Sequence, residues 1–190
     1  EEIVEVRQSG APLRIPRNEV DYIDVSPEQP FSIATNMIPF LEHDDANRSL
    51  MGSNMQKQAT PCIIPEAPLV ATGMEMRAAR DTGRLIYAAE AGVVSHADGR
   101  VIKVKNEKGK EAEYPLVNFV RTNGFTSFHQ RPAVSVGAKV KKGDLLADTS
   151  SSDNGQLALG QNALVAFMCW SGANYEDAII ISERMVKDSK

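Results

Sequence analysis

Two stretches of the sequence combine charged side chains in patterns that could bind a phosphate or a metal ion. The first is residues 42–45 (EHDD) followed by Arg48, and the second is residues 170–177 (WSGANYED), which end in Glu176 and Asp177. A glycine-containing loop that follows an apolar strand and presents two acids is a usual setting for Mg²⁺ or phosphate chemistry. Adjacent acids on an extended chain point to opposite sides, so one of the pair would face a given site.

Both stretches also have an ordinary structural interpretation when spacing alone is considered. The acids of residues 42–45 would cap the helix that follows them, and Glu176 and Asp177 would belong to a solvated turn. A metal cluster of His43 with its neighbours is disfavoured, because side chains adjacent in sequence rarely converge on one ion. Cys62 and Cys169 are far apart, which argues against a zinc site and against a disulfide scaffold.

The residues that follow the first acidic run predict a helix of unusual composition over residues 46–58. Asp44 or Asp45 is its expected N-cap, and Pro61 lies just beyond its end. At 100° per residue, one third of the circumference carries five residues that are not typical of a core-facing stripe. These residues are Arg48, Met51, Asn54, Met55 and Gln58. The opposite side carries Ser49, Gly52, Ser53 and Gln56.

The elements around this helix are mostly predicted strands. Alternation over residues 19–25 predicts one half-exposed strand, and residues 92–96, 100–105 and 110–114 predict strands separated by turns at Asp98-Gly99 and Lys108-Gly109, where glycine supplies positive φ. Residues 164–168 and 178–181 predict buried strands, with Ser182 as N-cap of a closing helix. Many short strands with few helices favour a small barrel or sandwich.

Length and composition limit the possible classes of protein. The chain has 190 residues with Lys+Arg 21 against Asp+Glu 25, a net charge of −4, and 42% hydrophobic residues. An autonomous nucleic-acid binder would normally be basic, although a segment of a larger assembly need not be. No signal peptide or membrane span is predicted. Because the chain lacks an initiator Met, we expect it to be a piece of a longer protein. The predicted lack of a signal peptide and of a disulfide scaffold leads us to expect a cytoplasmic location.

Residues 136–147 resemble the G-x-x-V-x-x-G-D-x-L hairpin of biotinyl and lipoyl carrier domains. Such carriers need an exposed lysine at a hairpin tip, and the nearest match, residues 73–76, has Glu75 there. The hairpin is therefore interpreted as part of the fold. A non-catalytic, carrier-like β-barrel binding module stays the alternative hypothesis.

Five longer strings resemble, in the same order, signatures of the β subunit of bacterial multisubunit RNA polymerases. They are residues 38–58, 68–75, 130–132, 157–162 and 170–177. The resemblance extends from about residue 20 to residue 187, and it implies an internal fragment of a β subunit. The implied fold is mainly β with few helices (α+β), part of a double-psi β-barrel with a small sandwich–barrel hybrid insertion.

This resemblance divides the chain into four expected segments. Residues 1–30 would be a lead-in segment with one strand, and residues 31–66 the hybrid-binding strand and helix. Residues 67–156 would be the β-rich barrel or sandwich part. Residues 157–190 would contain barrel strands, the acidic loop and the start of the closing helix.

The resemblance also implies roles for individual residues. Arg48 matches an arginine near the triphosphate of the incoming nucleotide, whereas Asn54 and Gln58 match residues that line the RNA 3′ end in the RNA–DNA hybrid. Glu176 and Asp177 match an acidic pair near the second catalytic Mg²⁺, which they would contact directly or through water. Two departures are Cys169, where proline is common, and Lys57, where arginine is frequent; the latter loses bidentate geometry.

The implied activity is nucleotidyl transfer by a complete DNA-directed RNA polymerase. The expected partners are the β′ subunit, α subunits, a sigma factor, the RNA–DNA hybrid and nucleoside triphosphates, with no membrane and a cytoplasmic, nucleoid-associated location. Mg²⁺ would be held mainly by β′, because the chain lacks a D-x-D-x-D motif. We therefore expect the isolated fragment to be inactive.

Overall fold

A computed structural model describes residues 2–188, and the chain divides into two compact units, one ending at Ser32 and the other beginning at Ile33. The strands are β1 (Ile3–Gln8), β2 (Ala11–Pro16), β3 (Ile86–Tyr87), β4 (Gly92–Ala97), β5 (Val101–Lys105), β6 (Glu111–Pro115), β7 (Val120–Arg121), β8 (Ser127–Phe128), β9 (Gln130–Pro132), β10 (Lys139–Val140), β11 (Leu145–Thr149), β12 (Ser152–Asp153) and β13 (Gln156–Leu157). The helices are α1 (Ile33–Asn36), α2 (Ala46–Lys57), α3 (Met74–Asp81) and α4 (Glu183–Lys187), with 3₁₀ turns at Arg17–Glu19 and Leu41–His43.

The first unit contains an antiparallel hairpin of β1 and β2. Ser9 and Gly10 have φ of 52° and 87°, the left-handed geometry that matches a two-residue turn to twisted strands. The strand predicted over residues 19–25 is wrong: no strand forms there, and Tyr22 is 93% exposed. Its alternating pattern was real, but the described residues provide no neighbouring strand to pair with it.

The second unit is built on two antiparallel sheets, in the orders β10-β4-β5-β6 and β3-β11-β9. Small two-stranded sheets, β7-β8 and β12-β13, accompany them. The core residues come mainly from β4, β5, β10 and β11 and the adjoining segments; they are Ala88, Val94, Ile102, Val104, Leu116, Val140, Leu146 and Ala147. The predicted class, mainly β with few helices, is confirmed, and the described residues form no closed barrel.

The turns of the four-stranded sheet use two different devices. Gly109 has the predicted positive φ, 79°. Gly99 does not; instead the Asp98 carboxylate accepts hydrogen bonds from the backbone N–H groups of Arg100 (2.7 Å) and Val101 (2.8 Å). These two bonds, followed by the His96 side chain at 3.1 Å, lower the pKa of Asp98 to about 2. The turn at Asp98-Gly99 was therefore predicted correctly in position and incorrectly in mechanism.

No strand forms within residues 31–66, the segment expected to hold the hybrid-binding strand and helix, and residues 33–36 form α1. Two predicted strands of this unit are wrong, since residues 164–168 and 178–181 form no strand. These last two segments are exposed, with Leu164 at 106% and Phe167 at 98%. Apolar runs predict burial only if a covering partner exists, and the described residues supply none. Ser182 precedes α4 as predicted, without a side-chain capping bond; the predicted segment limits at residues 30, 66 and 156 stay predictions.

Candidate functional site

Helix α2 begins where the sequence predicted, and Asp45 is the N-cap. Its Oδ2 accepts a hydrogen bond from the Asn47 backbone N–H at 3.2 Å, and its carbonyl accepts from the Ser49 N–H at 2.9 Å. Asp44 instead ends the preceding 3₁₀ turn. One acid of residues 42–45, Asp45, therefore performs the ordinary structural task of helix initiation.

One side of α2 packs against the short helix α1 and the residues after it. The ideal Cβ of Gly52 would lie 3.8 Å from Ile38 Cδ1, and Gln56 Nε2 donates to the Ala34 carbonyl at 2.9 Å. Ser53 is buried, with its hydroxyl donating to the Leu50 carbonyl at 2.9 Å. Small and hydrogen-bonded side chains thus allow a close approach on this side and fix the rotation of the helix.

The side of α2 that carries the Arg, Asn and Gln side chains is exposed, as its composition predicted. Arg48 and Asn54 lie on it, and Gln58 follows at the C-cap. The Arg48 guanidinium contacts the Met51 sulfur at 3.7 Å, which is a weak acceptor, and Met55 is 61% exposed. The structure therefore presents the predicted Arg, Asn and Gln side chains to solvent, held by a helix that is packed from behind.

Residues 168–177 form a loop organised by Asn174. Its Oδ1 accepts from the Trp170 N–H at 2.9 Å, and its Nδ2 donates to the Met168 carbonyl at 2.7 Å. Glu176 has a positive φ of 57°, and both Glu176 and Asp177 are exposed. The hydrogen bonds and ion pairs of the described residues do not connect this acidic pair to the exposed side of α2.

Glu176 and Asp177 have the chemistry of metal ligands, and the number of ligands around them decides what site they could form. Residues 2–188 contain no group of three or more His, Cys, Asp and Glu side chains that could hold a metal ion. Two adjacent exposed carboxylates suit a hard divalent cation that keeps most of its waters and takes its other ligands elsewhere. Glu176 and Asp177 therefore fit an auxiliary contact to Mg²⁺ and do not form a complete site.

A hydrogen-bonded connection that the sequence did not predict joins residues 157–162 to residues 64–69. Asn162 donates through its backbone N–H to Glu66 Oε2 at 3.1 Å and through Nδ2 to the Ala67 carbonyl at 2.9 Å. Its Oδ1 accepts from the Leu69 N–H at 3.2 Å. Asn162 uses both ends of its amide in these bonds, so this string has a structural task in addition to any other.

Helix α3 was also missed, although the sequence contains a signal for it. Thr72 and Glu75 have the T-x-x-E spacing that is typical of a helix start, although the N-cap itself is Gly73. Glu75 accepts from the Thr72 N–H at 3.2 Å and the Gly73 N–H at 2.9 Å, while Thr72 Oγ1 accepts from the Met74 N–H at 3.3 Å. Glu75 is only 5% exposed. The position nearest to a carrier's lysine is therefore a buried carboxylate in the first turn of α3, which argues against the carrier hypothesis.

Comparison with known proteins identifies relatives across nearly the whole chain. The family described as RNA polymerase Rpb2, domain 6, matches residues 87–189. The chain is 55% identical over 186 residues to the DNA-directed RNA polymerase subunit beta of Thermus thermophilus, covering 98% of this chain and 17% of the relative. It is 57% identical over 169 residues to that of Chloroflexus aggregans, covering 89% and 14%, and 53% identical over 188 residues to that of Syntrophomonas wolfei, covering 99% and 17%.

The chain therefore spans about one sixth of the length of the curated relatives it matches. None of the helices in residues 2–188 combines the length and apolar character needed to cross a bilayer.

Proposed function

The chain belongs to the RNA polymerase Rpb2 domain 6 family and corresponds to part of a bacterial β subunit, and from this premise we propose that it contributes nucleotide and RNA contacts to DNA-directed RNA synthesis. The observation that carries the proposal is the exposed side of α2. Arg48, Asn54 and Gln58 are exposed there, while the other side is fixed against α1. A helix whose exposed side carries hydrogen-bonding and charged groups of this kind is suited to bind a ligand.

Arg48 acts on the triphosphate of the incoming nucleotide. Its guanidinium carries a permanent charge and can donate two parallel hydrogen bonds to phosphate oxygens. Its only partner within residues 2–188 is a thioether sulfur, so binding a phosphate costs it little in lost contacts. This charge offsets the negative charge that develops during transfer, an effect worth several kcal/mol in order of magnitude.

Asn54 and Gln58 contact the 3′ end of the RNA in the RNA–DNA hybrid. Amide side chains both donate and accept hydrogen bonds, so they can bind sugar and base edges without adding charge. Lys57 Nζ donates to Asn54 Oδ1 at 3.3 Å, which leaves the Asn54 amide group to donate to the RNA. Gln58 lies one helical turn further along, at the C-cap.

Glu176 and Asp177 assist the Mg²⁺ that arrives with the nucleotide. When bound, the two Mg²⁺ ions of such a reaction activate the attacking hydroxyl and steady the leaving pyrophosphate. The exposed carboxylates of this chain would contribute negative charge and would accept hydrogen bonds from waters bound to the metal. Asn174 positions them by closing the loop that precedes them.

The remaining parts of the assembly lie in other chains and segments. We propose that β′ holds the permanent Mg²⁺, that α subunits and a sigma factor complete the enzyme, and that the 190-residue chain alone is inactive. We also propose that this chain contributes to a double-psi β-barrel of the complete subunit, which residues 164–168 and 178–181 would contact. Their exposed apolar side chains would then be covered by neighbouring strands of the complete subunit.

The test uses Arg48→Ala in the complete polymerase, with elongation rates measured across nucleotide concentrations. Losing a charge-assisted hydrogen bond of about 1.5–3 kcal/mol lowers kcat/KM for the nucleotide by roughly 10- to 150-fold. Arg48→Lys recovers part of this loss, because lysine is a point charge without the planar fork. Arg77→Ala is the matched control, since Arg77 is exposed on α3 and pairs with Asp81. Unchanged kinetics for Arg48→Ala would reject the assignment.

A further inference from the structure

A second feature of this unit is a cleft of about 770 Å³ at the C-terminal end of α2. Its walls come from the α2 end, the residues around α3, the β7–β8 hairpin and the loop between β11 and β12. Gln58, the proposed RNA contact, lies on its rim beside Lys57. The cleft is thus continuous with the exposed side of α2 but is built largely from other elements.

The charge of the cleft is of one sign. Lys57, Arg84 and Arg121 line it, and no Asp or Glu is among its lining residues in the described part of the chain. The chain as a whole is acidic, with a net charge of −4. A concave surface with only positive charge raises the local concentration of anions.

The two arginines are positioned by aromatic rings and not by acids. Arg84 Cζ lies 4.7 Å from the centroid of the Phe128 ring, and Arg121 Cζ lies 4.4 Å from that of Phe125. Neither forms an ion pair with any other residue between 2 and 188. A cation–π contact of this kind helps to hold an arginine in place without using an acid as its partner, so its N–H groups can still donate to a phosphate.

Hydroxyl groups are also part of the lining. Those of Thr60, Ser127 and Ser151 are exposed or partly exposed, whereas the buried Ser152 hydroxyl donates to Asp148. Serine and threonine hydroxyls, together with arginine and lysine, are the side chains that usually contact the phosphates and sugars of nucleic acids.

Exposed aromatic rings adjoin the cleft. Phe125 is 76% exposed and sits between two lining residues, Gly124 and Thr126. Phe128 lines the cleft and is partly exposed. A basic groove with neighbouring aromatic rings is the combination that binds single strands, because phosphates meet the cations while bases stack on the rings.

We propose that this cleft binds the phosphate backbone of a single-stranded nucleic acid, with bases stacked on Phe125 and its aromatic neighbours. The inference deepens the proposed function and rests on it for the presence of a strand near Gln58. It assigns phosphate contacts to Arg84 and Arg121, which are separate from the contacts proposed for the exposed side of α2. With three cations in the cleft, phosphate contacts there should contribute about −2 to the slope of log K against log salt concentration for strand binding.

The experiment is photocrosslinking in the complete polymerase that contains this chain. A single-stranded RNA carrying 5-iodouracil is irradiated with the enzyme, and crosslinked peptides are mapped by mass spectrometry. We expect crosslinks in the peptides that contain Phe125 or Phe128. Arg84→Glu with Arg121→Glu should lower their yield about tenfold or more, through lost attraction and added repulsion.

The matched control is Lys108→Glu with Lys142→Glu, the same change of charge at exposed lysines outside the cleft. Arg84→Gln with Arg121→Gln, which removes charge without reversing it, serves if the reversed pair does not assemble, and it should lower the same crosslinks by a smaller factor. Equal loss in the control would mean a general charge effect and would overturn the proposal.

Two other outcomes also count against the cleft as a strand site. Crosslinks that map only outside it would overturn the inference. Protection of the cleft by a nucleoside triphosphate but not by an unlabelled strand would reassign it to free nucleotide. Either result leaves the Arg48 test intact, so failure of this inference is distinguishable from failure of the proposed function.

Discussion

Asp148 should be one of the most sensitive positions of the second unit. It lies at the end of the core strand β11 and is only 5% exposed. Its Oδ1 accepts hydrogen bonds from Ser152 Oγ at 2.8 Å and the Gly155 N–H at 2.9 Å, while Oδ2 accepts from the Asn154 N–H at 3.1 Å. One carboxylate therefore fixes the loop from Thr149 to Ser152 that forms a wall of the basic cleft.

The cost of Asp148→Ala follows from these three donors. Ser152 is 1% exposed, so its hydroxyl would lose its acceptor where water does not reach, at about 1–3 kcal/mol. The Asn154 and Gly155 amides are less buried, and each would lose about 0.5–1.5 kcal/mol. We expect a total loss of about 3 kcal/mol, and a smaller loss of about 2 kcal/mol for Asp148→Asn, which keeps one acceptor.

Urea unfolding followed by far-UV circular dichroism measures this difference. Trp170 is 58% exposed, so its fluorescence would report poorly on the core. Asp24→Ala is the matched control, because it makes the same chemical change at an exposed aspartate and should stay within about 0.5 kcal/mol of the parent. In a chain of this size, 3 kcal/mol corresponds to a fall in Tm of about 6–12 °C.

A small effect would refute the reasoning behind this estimate. If Asp148→Ala unfolded within about 0.5 kcal/mol of the parent, the hydroxyl and amide donors must find water or other acceptors. If Asp148→Asn were as unstable as Asp148→Ala, the negative charge rather than the number of acceptors would carry the effect. The ranking parent, then Asn, then Ala is therefore the critical observation.

Three further predictions concern other sites. In the complete polymerase, Asp177→Asn should raise the Mg²⁺ concentration needed for elongation and slow pyrophosphate-dependent reversal without changing assembly; a loss of assembly at unchanged Mg²⁺ dependence would make the acidic pair structural. Because the pKa of Asp98 is lowered to about 2 from 3.8, its stabilisation is present above about pH 4 and lost as the pH falls through about 2. The difference in unfolding free energy between the parent and Asp98→Asn should therefore shrink on acidification, and a growing difference would contradict this. Gly92→Ala should destabilise by about 1–3 kcal/mol, since its Cβ would lie 2.5 Å from the Lys105 carbonyl oxygen, whereas Gly99→Ala meets nothing within 4 Å and should be nearly neutral in the same assay.

Local signals in the sequence predicted well those elements whose partners are close along the chain. Strands β4, β5 and β6 pair through short turns, so alternation and the glycines between them were sufficient. Helix α2 has its N-cap one residue before it. Helix α3 could have been found in the same way, because the T-x-x-E spacing of Thr72 and Glu75 at its start is local.

Long-range contacts were beyond a single sequence. The basic cleft joins residues from Lys57 to Leu157, and no spacing rule brings Arg84 and Arg121 to one surface. The bonds of Asn162 to residues 66–69 cross more than ninety positions along the chain. Such features depend on tertiary packing, which the hydrophobic pattern specifies only as a class.

The predictions for helix α2 and for the apolar runs after residue 163 had different outcomes for one physical reason, which is whether a covering partner lies among the described residues. The side of α2 that carries Gly52 and Ser53 packs against α1 and the residues after it, so its cover lies within the same unit. Residues 164–168 predicted burial equally well, but their cover does not lie among the described residues. A pattern states what a segment can bind, and only the partner decides whether it is bound. The polar face of α2, exposed and unmatched by any cover among residues 2–188, is therefore the surface on which a functional ligand is best sought.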